Sequence, residues 1–337
     1  MMAARMLMTC KATFENMLIR ELGLYGWKAD TSGAGWVLAT VKGPYPDICF
    51  AESAGEDPVE ITASSANKLT SELVDLFMAG LKDNRVDNPW PFVFNAVGQD
   101  ASLSKRAKTV QAAWLKKLQK ILPRVMRLAR EDMTEECAAR RGFFVHVTDF
   151  TRAFVSRSAK FGGQRRMQMD SKAPSRSYLK IEEAYGILGC QPGKGETVID
   201  LGAAPGGWSY SALKRNARVI AVDNGRLLGT VKNHPGLTHH QENAMAYQPP
   251  AGVTCDWLFC DVLDQPDRIL NVIFKWVGNR WCRRFIVNLK FGRTDPIPLL
   301  AKARDPGTGL AAGCSVLKIR HLYHDREELT LMGSVRT

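Results

Sequence analysis

Four short runs in the second half of the chain hold continuous apolar stretches instead of alternating: TVIDLG (197–202), RVIAVDN (218–224), WLFCD (257–261) and RFIVNLK (284–290). A strand with one face in solvent alternates polar and apolar residues, whereas a run that is apolar on both faces must be covered on both. Helical or loop segments separate the four runs, and a helix over 175–188 precedes them. This order predicts an α/β domain over 175–337, a Rossmann-like, doubly wound and mostly parallel sheet.

The first half reads differently. RMLMTC (5–10), GWVLATV (35–41), PFVFNAV (91–97), GFFVHV and RAFVSR (within 142–157) predict strands. Phe14, Leu18 and Leu22 repeat at helical spacing, as do Leu69, Leu73, Leu76, Phe77 and Leu81 behind a capping Ser65. A long helix is expected from Ser104 to Arg130, with Pro123 breaking or kinking it. The expected organisation is a small α+β subdomain (1–55), a second α+β domain (56–158), a polar linker or substrate-facing loop (159–174) and the α/β domain.

Charge separates these regions further. Residues 101–180 hold 19 Lys+Arg against 6 Asp+Glu, and the rest of the chain holds 27 against 28. Essentially the whole net charge of +12 sits in one quarter of the sequence, the pattern of a polyanion-binding strip. Arg165 and Arg166 in the linker are candidates for phosphate contacts.

Other classes are disfavoured. Hydrophobic content of 45% with 24% charged residues is ordinary for a folded protein, and no apolar run is long enough to cross a membrane. Arg5 interrupts the first apolar stretch and no small-residue cleavage site follows, so a cytoplasmic protein is expected. Eight cysteines, at 10, 49, 137, 190, 255, 260, 282 and 314, form no CxxC pair and suggest buried thiols, not zinc ligands. His239, His240, His321 and His324 lack metal spacing and are assigned no chemistry, so no metal is expected. Trp276 and Trp281 read as core. A monomer is favoured.

The sharpest local signal is VIDLGAAPGGWS (198–209), where a strand ends at Gly202 and a helix begins near Gly207. Small residues there let a ligand approach the backbone at the carboxyl edge of the sheet. The turn is not GxGxxG: Ala204 replaces the second glycine and Pro205 removes an amide donor, which disfavours a dinucleotide pyrophosphate. The next strand ends in Asp223, where a carboxylate can grip a ribose diol. Turn, acid and sheet together point to S-adenosylmethionine.

DLGAAPGGWS, with PSRSYLKIEEAY (174–185), FCDV (259–262), NLK (288–290) and YHDREELT (323–330), resembles the FtsJ-type RNA ribose 2′-O-methyltransferases. Within that family it is most similar to the bacterial enzymes that methylate a cytidine of 23S ribosomal RNA. The resemblance implies an N-terminal RNA-binding region made of a ferredoxin-like piece and a THUMP domain. It also implies a Lys-Asp-Lys-Glu tetrad, which carries over to Lys180, Asp261, Lys290 and Glu327. Glu327 is preferred to Glu328 because the family's acid directly follows a basic residue, here Arg326, and adjacent strand residues face opposite ways. Cofactor contacts carry over to Ser177, Gly202, Ala204, Pro205, Gly206, Gly207, Asp223, Asn243 and Asp261, with Trp208 closing the loop. Asn243 stands where relatives carry an acid; its amide oxygen can accept the same adenine hydrogen bond.

Methyl transfer to a ribose hydroxyl needs the oxygen held in line and its proton removed. Asp261 and Glu327 favour the charged form of Lys290, which is expected to orient the hydroxyl and stabilise the emerging alkoxide. Lys180 would support the same oxygen from the helix side, and Glu327 would fix an ammonium. The alternatives are a cap-type or other RNA 2′-O-methyltransferase, or an RNA-binding protein with an inactive methyltransferase fold.

Overall fold

A computed structural model describes residues 4–81, 85–98, 100–131 and 137–336, the stretch 137–140 by its backbone alone. The chain divides after Gly163 into two units.

The first unit begins with β1 (Ala4–Thr9), α1 (Glu15–Gly23), β2 (Lys28–Gly33) and β3 (Trp36–Val41). β4 (Ser53–Glu56) and β5 (Val59–Thr62) lead into α2 (Ala66–Ala79), whose cap Ser65 accepts the Lys68 amide. After β6 (Trp90–Ala96), Asp100 caps α3 (Ala101–Ile121). The single helix expected to reach Arg130 ends here. Proline cannot donate to the preceding turn but suits a helix start, so Pro123 opens a separate α4 (Pro123–Arg127). β7 (Ala129–Glu131), β8 (Cys137–Val147) and β9 (Arg152–Phe161) complete the unit.

Among the described residues these strands form one sheet ordered β2-β3-β1-β4-β9-β8-β6-β7, with β5 also beside β9. Because β4 joins β1 to β9, the sheet runs unbroken through the 1–55 and 56–158 segments. β9 reaches Phe161, so the first residues of the expected linker are strand. One face is covered by α2 and α3: Trp114 stacks on Phe143 at 5.1 Å and meets Phe77 edge-on at 5.4 Å.

The second unit holds α5 (Tyr178–Leu188), β10 (Thr197–Leu201), α6 (Gly207–Leu213), β11 (Arg218–Val222) and β12 (Leu237–His240). β13 (Cys255–Cys260), α7 (Pro266–Gly278), β14 (Cys282–Lys290), α8 (Pro296–Arg304), α9 (Leu310–Gly313), β15 (Cys314–Arg320) and β16 (Glu328–Val335) follow. The sheet order is β12-β11-β10-β13-β14-β16-β15, parallel from β12 to β14, with β16 antiparallel to both neighbours. Trp257, Phe259, Phe285 and Ile286 are buried on the central strands, as expected for a sheet covered on both faces. From β10 the chain winds outward through β11 to β12, then returns to β13 and winds the other way. That reversal opens a crevice between the carboxyl ends of β10 and β13.

Residues 164–174 belong to this unit and are fastened to it. The Arg165 amide donates to Glu183, the Met167 amide to His324 Nε2 (2.8 Å), and Asp170 accepts from Lys214 and Tyr210. The segment is a docked strap and not a free linker.

The seven described cysteines are free thiols; the side chain of Cys137 lies outside the described residues. Among the described residues no group of His, Cys, Asp and Glu is arranged to hold a metal ion. No described helix is long and apolar enough to cross a membrane.

Candidate active site

The crevice becomes a cleft because the chain turns sharply after β10. Gly202 adopts φ +77°, and a Cβ there would lie 2.7 Å from Val262 Cγ2 and 2.9 Å from the Val262 amide. Only glycine lets the turn lie this close to the strand end at Asp261. Gly206 has φ +116°, and the Ala204–Pro205 peptide is cis. The resulting cleft of about 510 Å³ has the size of a cofactor site.

Of the residues carried over as cofactor contacts, Ser177, Gly202, Ala204, Pro205, Asp223, Asn243 and Asp261 line the cleft. Gly206, Gly207 and Trp208 do not. Trp208 is 2% exposed, packs edge-on against Phe259 and donates Nε1 to the Ser177 carbonyl (2.9 Å). It anchors the loop from the core side instead of closing it over a ligand. Gly207 has a packing reason: a Cβ would meet Ser175 Oγ at 2.3 Å and Ser177 Oγ at 2.8 Å. Ser175, Asn224, Met245, Val262 and Leu263 also line the cleft and were not expected.

Asp223 cross-links the walls. One carboxylate oxygen accepts the Ala204 amide (3.0 Å), the other the Gly225 amide (2.7 Å), and each keeps a lone pair for a diol. Asn243 Oδ1 accepts the Met245 amide (3.0 Å), so one of its two lone pairs is already used.

Beside this cleft lie two Lys–acid pairs, Lys290–Asp261 and Lys180–Glu328, whose strands are in register at Lys290 and Glu328; the four residues are called the ring below. Lys290 ends β14 and donates to Asp261 Oδ1 (2.8 Å), to the Asp261 carbonyl (2.7 Å) and more weakly to the Val262 carbonyl (3.4 Å). Glu328 begins β16 directly opposite Lys290. Glu328 accepts a hydrogen bond from Lys180 of α5, and both side chains are largely buried. This corrects the choice of Glu327: that side chain is exposed, and its backbone carbonyl instead accepts the Phe291 and Gly292 amides. Those two bonds set the phase of the strand, and alternation then turns Glu328 inward.

Burial alone would push the Lys180 amine toward neutrality, but Asp261, Asp325 and Glu328 outweigh it and hold its pKa above the ordinary lysine value. Deeper in β10, burial pushes Asp200 up to about 7 against its hydrogen bond from Ser209. The histidines serve local structure: His239 Nε2 meets the Asp223 carbonyl, and His321 Nε2 the Arg326 carbonyl.

Two amines poised by two acids, next to a glycine-walled cleft with a carboxylate that has lone pairs to spare, can hold an oxygen nucleophile beside a bound ligand. The chain is 38% identical over 187 residues to the ribosomal RNA large subunit methyltransferase M of Actinobacillus pleuropneumoniae serotype 3, covering 52% of this chain and 51% of that protein. Proteins of the same name match at 38% over 175 residues in Laribacter hongkongensis (49% of each chain) and at 40% over 171 residues in Halorhodospira halophila (49% of this chain, 48% of that one). The chain spans about half the length of the curated relatives it matches. Residues 173–272, which include the glycine turn, Lys180 and Asp261, match the model of the FtsJ-like methyltransferase family. The second unit therefore carries an FtsJ-like methyltransferase domain.

Proposed function

We propose that this chain methylates a ribose 2′-hydroxyl of RNA, the substrate being a cytidine of 23S ribosomal RNA in the cytoplasm. The ring of Lys180, Glu328, Lys290 and Asp261 beside the cleft carries this reading. The relatives' name supplies the large-subunit RNA, and the family resemblance supplies the cytidine.

S-Adenosylmethionine fits the cleft: Asp223 would take its ribose diol, Asn243 its adenine edge, and the Gly202–Pro205 wall its backbone side. When bound it supplies a methyl group on a sulfonium. The remaining work falls to the ring. As an ammonium Lys290 has three N–H groups, and all three already point at oxygens of Asp261 and Val262. Lys180 gives one N–H to Glu328 and keeps two uncommitted among the described residues. Lys180 is thus the amine with donors to spare for the ribose oxygen, while Lys290 fixes Asp261. Among the described residues nothing donates to Asp261 Oδ2, which is left to accept the hydroxyl hydrogen as the oxygen–methyl bond forms and the sulfur–methyl bond breaks. Orientation by these groups lowers the entropic part of the barrier.

The first unit suits the RNA. Lys105, Lys108, Lys116 and Lys120 lie along one exposed face of α3 and pair with no acid among the described residues. A helix rises about 1.5 Å per residue, so they span roughly 22 Å, the length of several phosphates. We assign this unit the RNA-gripping role of a THUMP-like region.

The test is incubation with methyl-labelled S-adenosylmethionine and unmodified bacterial 23S RNA, followed by alkaline hydrolysis. Label in alkali-resistant dinucleotides supports ribose methylation; label on a base, or none, refutes it.

A further inference from the structure

The cleft occupies the carboxyl edge of the sheet from β11 to β13, through Asp223, Gly202 and Asp261 at the strand ends. The other half of that edge is left for an RNA chain to approach the ring. There β15, antiparallel to β16 and so parallel to β14, ends at the same edge with Arg320. The turn 321–327 crowns that end, two strands beyond Lys290. Neighbouring strands lie about 4.8 Å apart, so the turn starts roughly 10 Å from Lys290, within reach of a nucleotide adjoining the target.

Two segments meet at this turn. Glu183 of α5, fully buried, accepts the amides of Tyr323 (2.7 Å), Arg165 (3.1 Å) and His324 (3.3 Å). The Met167 amide donates in turn to His324 Nε2 (2.8 Å), so strap and turn are stitched side by side. A buried carboxylate is costly unless its oxygens are paired, and among the described residues these pair with backbone alone. What Glu183 fixes is therefore the course of two surface segments and the side chains they present. Tyr323 is 45% exposed, its ring edge-on to His324 at 5.1 Å. Arg165 folds onto α5, where Gly186 leaves room: a Cβ there would meet the guanidinium at 2.5 Å. Arg166 and Arg326 are exposed and pair with no acid among the described residues.

We propose that Tyr323, Arg166 and Arg326 form a subsite for an RNA nucleotide adjoining the methylated one, its base stacked on the Tyr323 ring and its flanking phosphates on the two guanidiniums. An unpaired base stacks on an exposed aromatic, and an aromatic on pinned backbone loses little entropy in holding it. Two uncompensated guanidiniums on the same stitched segments supply the charge that the phosphates need. The place of the subsite in the reaction rests on the ribose-methylation reading; its contact with RNA does not.

Tyr323→Ala should raise KM for unmodified bacterial 23S RNA about tenfold, with KM for S-adenosylmethionine unchanged, because the stacking of one base is lost. Tyr323→Phe keeps the ring and should keep the wild-type KM. An unchanged KM in the alanine variant overturns the proposal. Tyr323→Trp tests contact directly: the emission it adds over wild type should be quenched by saturating 23S RNA, and unquenched emission overturns the stacking role. Arg166→Ala combined with Arg326→Ala removes two phosphate partners, so the slope of log K against log salt in filter binding should flatten by about 1.4. An unchanged slope overturns the phosphate contacts. Each substituted side chain is exposed, and thermal unfolding at the wild-type midpoint checks that a variant is folded. If the wild type binds RNA but transfers no methyl to ribose, the functional reading fails while filter binding by Tyr323→Ala still decides the subsite. Binding about tenfold weaker supports it; wild-type binding overturns it.

Discussion

Lys290 and Glu328 are direct partners across antiparallel strands, so the last residue of β14 and the first of β16 deliver an amine and an acid to the same point of the sheet edge. The pairing explains why Glu328 and not Glu327 reaches Lys180. Glu328→Gln should lower kcat at least about tenfold, equivalent to 1.4 kcal/mol of barrier. Glu327→Gln, changing an exposed charge, should stay within about twofold of wild type. Steady-state assays of the two variants decide it; the reverse ranking would restore Glu327.

The glycine turn gives a binding prediction. Gly202→Ala places a side chain in left-handed backbone, costing about 1–2 kcal/mol, and drives its Cβ against Val262 at the cleft wall. Calorimetric titration should show affinity for S-adenosylmethionine weakened about tenfold or more. Wild-type affinity in a folded variant would mean the cofactor does not rest on this wall.

RNA affinity should depend on salt through α3. Replacing Lys105, Lys108, Lys116 and Lys120 together by Ala removes four phosphate partners, so the slope of log K against log salt should flatten by about 3. Filter binding over a salt series measures it. An unchanged slope would move the RNA track elsewhere.

His146 makes the first unit acid-sensitive. It is fully buried on β8, neither ring nitrogen has a hydrogen-bond partner among the described residues, and burial pushes its pKa down to about 4. An unfolded histidine titrates near about 6.5, so between those values the unfolded chain takes up a proton that the folded chain refuses. The stability is complete above about pH 6.5 and is lost as pH falls toward 4, by roughly 3 kcal/mol in all. Denaturant unfolding at about pH 7 and 4.5 should therefore show a larger loss for wild type than for His146→Leu. Equal losses would contradict it.

The sheet of the second unit was legible because unbroken apolar runs have few other uses, and the glycine turn because a sharp strand-to-helix bend needs small residues. Phase was harder to read. Period two says that Glu327 and Glu328 face opposite ways, but which faces Lys180 depends on pairing with β14, some forty residues upstream in the chain. Trp208 misled because its position next to the turn does not reveal its bond to the Ser177 carbonyl from the core side. β2, with sequence KADTSG, lacks an apolar signal because it is an edge strand that pairs, among the described residues, with β3 alone. Ser175, Asn224, Met245 and Leu263 reach the cleft from loops whose course is set by tertiary packing.

The most direct measurement is the single-turnover rate of ribose methylation for wild type and Lys290→Ala, with cofactor affinity determined in parallel. The variant is expected to bind S-adenosylmethionine with little loss yet transfer its methyl to the ribose at least about 100-fold more slowly. Transfer at the wild-type rate would remove Lys290, and with it the ring, from the chemistry.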